Sequence, residues 1–218
     1  NTSPMRVFLI KAILRCLSVL PLSVLHWFGM LVGLLLNRIP NRDATVARIN
    51  IRHCFTEKSP QEQQDLVRAS LIETGKTLFE AVVMFNWPKS KVMTLIKEVA
   101  GNDELDKAMQ SSRGVILAVP HFGSWEVVGL YCSNRYPMTS LYRKPKIKEL
   151  DQIVRNARER LGAKLVPTGS SGVRALFKAL RRNEMIAILP DQDPAGDKHG
   201  VFAPFFGVPA KTMTLLNR

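Results

Sequence analysis

Between Cys16 and Leu36 the chain carries no Asp, Glu, Lys or Arg, and His26 is the one strongly polar side chain in the run. As one helix these 21 residues extend roughly 30 Å, about the thickness of a bilayer core. Arg6, Lys11 and Arg15 precede the run and Arg38, Arg42, Arg48 and Arg52 follow it, so charge counting does not orient it. Asn37-Arg38-Ile39-Pro40 offers no small-residue cleavage site, which argues against a removed signal peptide. The pattern predicts a membrane-spanning anchor, with a helix lying in the interface or buried in a core as the alternatives. Pro21, Gly29 and Gly33 make that helix imperfect but are tolerated in membranes.

Helical spacing continues beyond the anchor. Val46, Ile49 and Cys54 punctuate an Arg-rich stretch from Asn41 to Phe55. Ser59-Pro60-Gln61-Glu62 is a capping box with proline at the first helical position. It opens a helix to about Asn86, which Trp87-Pro88 breaks. A short helix over 90–99 follows, and Gly101-Asn102 opens another to Gln110. From Val115 the texture changes. Short apolar runs predict strands at 115–119, 138–142, 164–167, 185–189 and 201–206, with helices at 125–134, 147–161 and 172–182 between them. This alternation predicts an α/β fold: a mostly parallel central sheet flanked by helices, preceded by an N-terminal membrane-anchoring helical region. The expected organisation is an anchor over 1–40 and an α/β domain over 41–218. Lys211 to Leu216 reads as the start of a helix that Arg218 cuts short, so the domain is expected to be C-terminally incomplete.

Charge sharpens this picture. A formal net charge of +13 implies an anionic partner, whether nucleic acid, an anionic membrane face, a phosphorylated substrate or an acidic protein. The three cysteines, Cys16, Cys54 and Cys132, lie far apart and form no C-x-x-C pair. They indicate neither a disulfide framework nor a cysteine zinc site, and fit a reducing, cytosol-facing environment.

The candidate chemistry gathers where predicted strands end. The run from Val115 stops at Pro120, and His121 follows at once, with Glu126 five positions on. Ser124 reads as an N-cap for a helix starting at Trp125. A histidine at the carboxyl edge of a buried strand, with a carboxylate one helical turn away, stands where open α/β sheets place their chemistry. A neutral imidazole suits proton removal from a hydroxyl, and a carboxylate on its other nitrogen fixes the tautomer. No serine nucleophile accompanies the pair, so a substrate hydroxyl is the expected attacking group. The second strand ends in Tyr142-Arg143-Lys144, a basic cluster that reads as a phosphate site or a solvated loop. Asp191 and Asp193 follow the fourth strand with metal-type D-x-D spacing, or they order a loop through Asx bonds. Arg158 shares a helix face with Arg155, and Arg174 follows a small-residue loop at a helix start, where anions bind readily. The apolar stretch 201–210 reads as an acyl pocket or as core.

His121-Phe-Gly-Ser-Trp-Glu126 resembles the H-x4-D/E signature of glycerolipid and lysophospholipid acyltransferases. Together with Leu-Tyr-Arg143, Pro190-Asp-Gln-Asp193-Pro, Phe205-Phe-Gly-Val-Pro209 and the anchor, the chain resembles the bacterial lipid A late acyltransferases over nearly its whole length. That resemblance implies transfer of a fatty acyl chain from acyl carrier protein to a hydroxyl of an anionic glycolipid, the lipid A precursor. It implies His121 as general base, Glu126 as its orienting acid, and Arg143, Asp191 and Asp193 in substrate-binding blocks. Arg158 and Arg174 would pair Glu126 or bind phosphate. It implies no cofactor, no metal and no nucleic acid, and a bacterial inner-membrane location with the catalytic domain facing the cytoplasm. The chain has Asp191-Gln-Asp193-Pro where the glycerolipid branch has an E-G-T-R-like block, which speaks against a phosphatidic acid enzyme. The rival readings are an acyltransferase with another membrane lipid acceptor, a metal-dependent membrane glycosyltransferase using Asp191 and Asp193, and a non-enzymatic binder of anionic lipid or nucleic acid.

Overall fold

A computed structural model of the chain describes residues 4–145, 148–160, 162–192 and 200–215. The chain forms two compact units: Asn1–Cys16 with Met84–Asp191, and Leu17–Val83 with Gln192–Arg218.

The apolar run does not form one helix. Helix α1 (Pro4–Ser18) stops short of Pro21, and α2 (Leu22–Arg38) starts after it. Proline supplies no N–H to the preceding turn and clashes with it, but it starts a helix well. Among the described residues no single helix is long and apolar enough to cross a membrane; α1 and α2 pass that test only as a pair broken near Pro21. Helix α3 (Arg42–Cys54) is capped by Asn41, whose side chain accepts from the Ala44 N–H at 2.8 Å. Helix α4 (Pro60–Asn86) opens with the predicted capping box. The Ser59 N–H donates to Glu62 Oε2 at 2.8 Å, and the Glu62 N–H donates back to Ser59 Oγ at 3.3 Å.

Glycine lets α2 and α4 meet backbone to backbone. A Cβ on Gly33 would lie 2.4 Å from Ile72 Cα, and one on Gly75 would lie 2.1 Å from the Gly29 carbonyl oxygen. Small residues four apart permit this close approach. Across the same helix pair His26 Nε2 lies 2.9 Å from Glu80 Oε1. Ala44, Val67 and Leu71 make a small core between α3 and α4.

The last two described strands belong to the second unit. Strands β5 (Val201–Phe205) and β6 (Val208–Thr212) form an antiparallel hairpin of their own. Phe206 and Gly207 make its two-residue turn, both at positive φ, as hairpin turns of this length demand. Lys211 and Thr212 therefore end a strand rather than open the expected helix, because Val208 to Thr212 finds its partner in the strand just before it. Phe202, Phe205 and Phe206 stand exposed, so the stretch is not core.

The first unit holds the α/β fold. Short helix α5 (Lys89–Met93) ends earlier than the spacing predicts, and α6 (Asn102–Gln110) leads into the sheet. Four parallel strands, β1 (Val115–Ala118), β2 (Met138–Tyr142), β3 (Ala163–Pro167) and β4 (Met185–Ile188), lie in the order β1-β4-β2-β3. Helices α7 (Trp125–Arg135), α8 (Lys148–Glu159) and α9 (Ser170–Arg181) connect them. Right-handed crossovers put α7 and α8 on one face and α9, which returns in the opposite direction, on the other. Packing agrees. Met138, Met185 and Ala187 cluster with Cys132 of α7 and Leu105 and Met109 of α6. On the other face α9 comes so close that a Cβ on Gly172 would meet the Pro167 carbonyl oxygen at 1.8 Å. Strand β4 is buried along its whole length, as a central parallel strand must be. Within this unit Arg160, just past α8, donates to the Met84 and Trp87 carbonyls.

Candidate active site

The register of β1 and β4 builds the site. Ala118 pairs with Ile188, and His121 and Asp191 each lie three residues further on. A proline follows two positions past the end of each strand, Pro120 and Pro190, so both segments leave the sheet at the same level. The His121 backbone N–H donates to Asp191 Oδ2 at 2.6 Å, and His121 Nδ1 lies 2.8 Å from Asp191 Oδ1. One carboxylate thus holds both the main chain and the ring of the histidine. Burial works against the charge of Asp191, but the hydrogen bonds from His121 outweigh it and hold the carboxyl below its ordinary range. An ionised Asp191 favours the tautomer of the neutral ring that carries its proton on Nδ1, which leaves the lone pair on Nε2. About a quarter of the His121 side chain, 27 %, is open to solvent.

Glu126 stands elsewhere. It lies in the first turn of α7, and its carboxylate accepts a fork of hydrogen bonds from Arg158 on α8, from Nε at 3.0 and 3.1 Å and from the terminal nitrogen. The family resemblance offered Arg158 either for pairing with Glu126 or for binding phosphate, and its guanidinium lies on Glu126. The bond to the imidazole goes to Asp191 instead. Ser124 occupies the N-cap of α7 but its side chain makes no cap bond.

Aromatic rings join the two pairs. The Trp125 ring meets the His121 ring edge-on at 5.2 Å, and the Arg158 guanidinium lies 5.3 Å from the Trp125 ring centre. Arg155 and Arg158 both lie 5.9 Å from the Tyr142 ring centre. The Tyr142 hydroxyl donates to Asp151 at 2.9 Å, and burial together with that bond pushes its pKa up to about 12. Tyr142 therefore stays protonated at neutral pH. Arg143 is exposed at the end of β2, and Arg174 is exposed on α9, on the far face of the sheet. Asp193 lies outside the described residues. Among the described residues no three His, Cys, Asp or Glu side chains converge in a metal-binding arrangement.

Sequence reasoning placed Asp191 in a neighbouring block and missed its bond to His121. The signal was present. Val119-Pro120-His121 and Leu189-Pro190-Asp191 are parallel endings of two apolar strands. Only the strand order, with β4 beside β1, turns that similarity into contact.

The fold and this pair define an α/β protein with a hydrogen-bonded histidine and carboxylate at the carboxyl edge of a parallel sheet. Comparison with known proteins then fixes its kinship. The model of the family described as bacterial lipid A biosynthesis acyltransferase matches residues 2–218, and the chain belongs to that family. It is 30% identical over 189 residues to the lipid A biosynthesis palmitoleoyltransferase of Escherichia coli (strain K12), covering 87% of this chain and 60% of that protein. It is 26% identical over 189 residues to the lipid A biosynthesis lauroyltransferase of the same organism, covering 87% of this chain and 60% of the relative. A phosphatidylinositol mannoside acyltransferase of Mycobacterium tuberculosis (strain CDC 1551 / Oshkosh) is 31% identical over 122 residues, 54% of this chain and 38% of the relative. The chain spans about 60% of the length of the lipid A relatives.

Proposed function

We propose that this chain carries the base of an enzyme that moves a fatty acyl group from acyl carrier protein to a hydroxyl of a lipid A precursor. His121 Nε2 removes the hydroxyl proton. The oxygen attacks the thioester carbonyl, a C–O bond forms, and the tetrahedral intermediate collapses with loss of the carrier thiolate. The imidazolium returns its proton to that sulfur. Asp191, rather than Glu126, fixes the tautomer of His121 and stabilises the imidazolium. Glu126 holds Arg158 beside the Trp125 ring, and Arg143 binds phosphate of the glycolipid. The N-terminus of α7, starting four residues after His121, lends positive potential to the developing oxyanion. No cofactor and no metal enters the steps.

The observation that carries this reading is the His121–Asp191 pair at the carboxyl edge of the sheet, in a member of this family. Membrane association accompanies it. Met5, Phe8, Leu9 and Ile13 are exposed on α1 among Arg6, Lys11 and Arg15, the composition of a helix resting on an anionic lipid surface of the inner membrane. The similarity to the mycobacterial relatives supports a second acceptor class, a glycosylated phosphoinositide. The test is acyl transfer by the complete membrane protein from carrier loaded with laurate or myristate, with His121→Ala as control. Gain of one acyl mass on a lipid A precursor, lost in the variant, is the expected result. Transfer to the phosphoinositide acceptor alone selects the second class, and undiminished transfer by His121→Ala removes the mechanism.

A further inference from the structure

Helix α9 carries a face that the chemistry above leaves unused. Arg174, Phe177, Lys178 and Arg181 are spaced i, i+3, i+4 and i+7, and all four are exposed. At 100° per residue they fall within an arc of roughly 100°. From Arg174 to Arg181 the stripe runs about 10 Å. Helix α9 contains no acidic residue, whereas α6, α7 and α8, on the opposite sheet face, each carry at least one. None of the three cations forms a salt bridge with a described residue. The buried side of the same helix, Gly172, Leu176 and Ala179, is spent on the sheet, so the basic stripe is not needed for folding.

We infer that this face of α9 is the docking surface for the acidic acyl carrier protein, an inference that rests on the acyl-transfer reading above. Charge complementarity selects an acidic partner. The make-up of the stripe selects a protein rather than a bilayer. One exposed aromatic ringed by Arg and Lys is the composition of a protein interface, where aromatic and Arg side chains anchor and charges surround them. A lipid-facing helix needs a broad apolar face, which α1 has and α9 lacks. The polarity of the helix suits delivery. Its N-terminus follows β3 at the carboxyl edge of the parallel sheet, the edge at which His121 stands. A carrier lying along α9 therefore has one end of its footprint at the level where its thioester must arrive.

The test compares the complete protein with its Lys178→Glu/Arg181→Glu variant, and with Lys178→Gln/Arg181→Gln as a milder pair should the reversal disturb folding. Two readouts are taken: binding of fluorescently labelled, laurate-loaded acyl carrier protein at low and physiological salt, and sedimentation with phosphatidylglycerol vesicles. Expected is a loss of carrier affinity of about tenfold or more in the reversed variant, a smaller loss in the neutral one, and a flattened salt dependence. Vesicle binding should not change. Equal carrier affinity in all three proteins overturns the inference, as does a loss confined to the vesicles. Acyl transfer separates this from the parent reading. Turnover with an unaltered KM for the carrier in the variants defeats the docking face alone, whereas no transfer from the carrier by the unaltered protein defeats the reading on which it rests.

Discussion

Replacing Asp191 by Asn isolates the role assigned to that carboxylate. The substitution keeps the shape and leaves one oxygen to accept from the His121 N–H, a bond of 2.6 Å in the native chain. The amide nitrogen then faces Nδ1, now 2.8 Å from a carboxylate oxygen, and presents a donor where the ring also has one. The imidazole answers by moving its proton to Nε2, the wrong tautomer for a base. Loss of correct general-base function is worth of order 10²–10⁴ in rate, and of order 10⁴ where the tautomer is inverted in a serine protease triad. Stability should change little. The carboxylate is 36 % exposed, so solvent screens the lost bond to less than about 1 kcal/mol. Initial rates of acyl transfer, with melting temperature as control, make the measurement. Glu126→Gln runs beside it and should cost less, since it leaves His121 untouched. A larger loss in Glu126→Gln than in Asp191→Asn would refute the assignment. The pH dependence has a definite sign. The folded carboxyl titrates below its ordinary range, so the stabilisation from this pair is fully present above about pH 4 and disappears only as pH falls through the lowered value.

Arg158→Ala leaves the Glu126 carboxylate, 15 % exposed, without its fork of donors. A destabilisation of about 1–3 kcal/mol is expected, read by chemical denaturation, and Arg158→Lys should restore only part of it. Gly33→Val must force α2 away from the Ile72 backbone, costing at least about 1–3 kcal/mol; a melting temperature equal to the native one would contradict the packing. Maleimide labelling of the folded protein should modify exposed Cys16 and spare Cys132, whose thiol burial pushes up and shields; Cys132 should react once denaturant is added.

The α/β half of the chain was legible because its signals are local. Every predicted strand from 115 to 189 appears in place, and the connecting helices agree to within a few residues at each end. Capping at Ser59 and the break after Asn86 were likewise written in neighbouring residues. What escaped was long-range. Nothing near Asp191 announces that β4 inserts between β1 and β2, so the carboxylate next in sequence, Glu126, looked like the partner of His121. Hydropathy counted 16–36 as one segment because a sum over a window is blind to Pro21. Gly29 and Gly33 read as helix defects, and only the presence of Gly75 opposite them reveals a packing surface. Lys211 and Thr212 carry no marker that separates a hairpin strand from a first helical turn.

The shared offset of three residues beyond the Ala118–Ile188 pair has a consequence for biosynthesis. His121 is made early, but the carboxylate that bonds its ring comes 70 positions later, just past the strand that completes the middle of the sheet. During synthesis the nascent chain carries a histidine of unfixed tautomer until β4 leaves the ribosome and slides between its neighbours. A deletion of one residue on either side of Pro120 or Pro190 should therefore break the His121–Asp191 bond as fully as loss of the histidine, and that bond serves as a reporter of correct strand insertion.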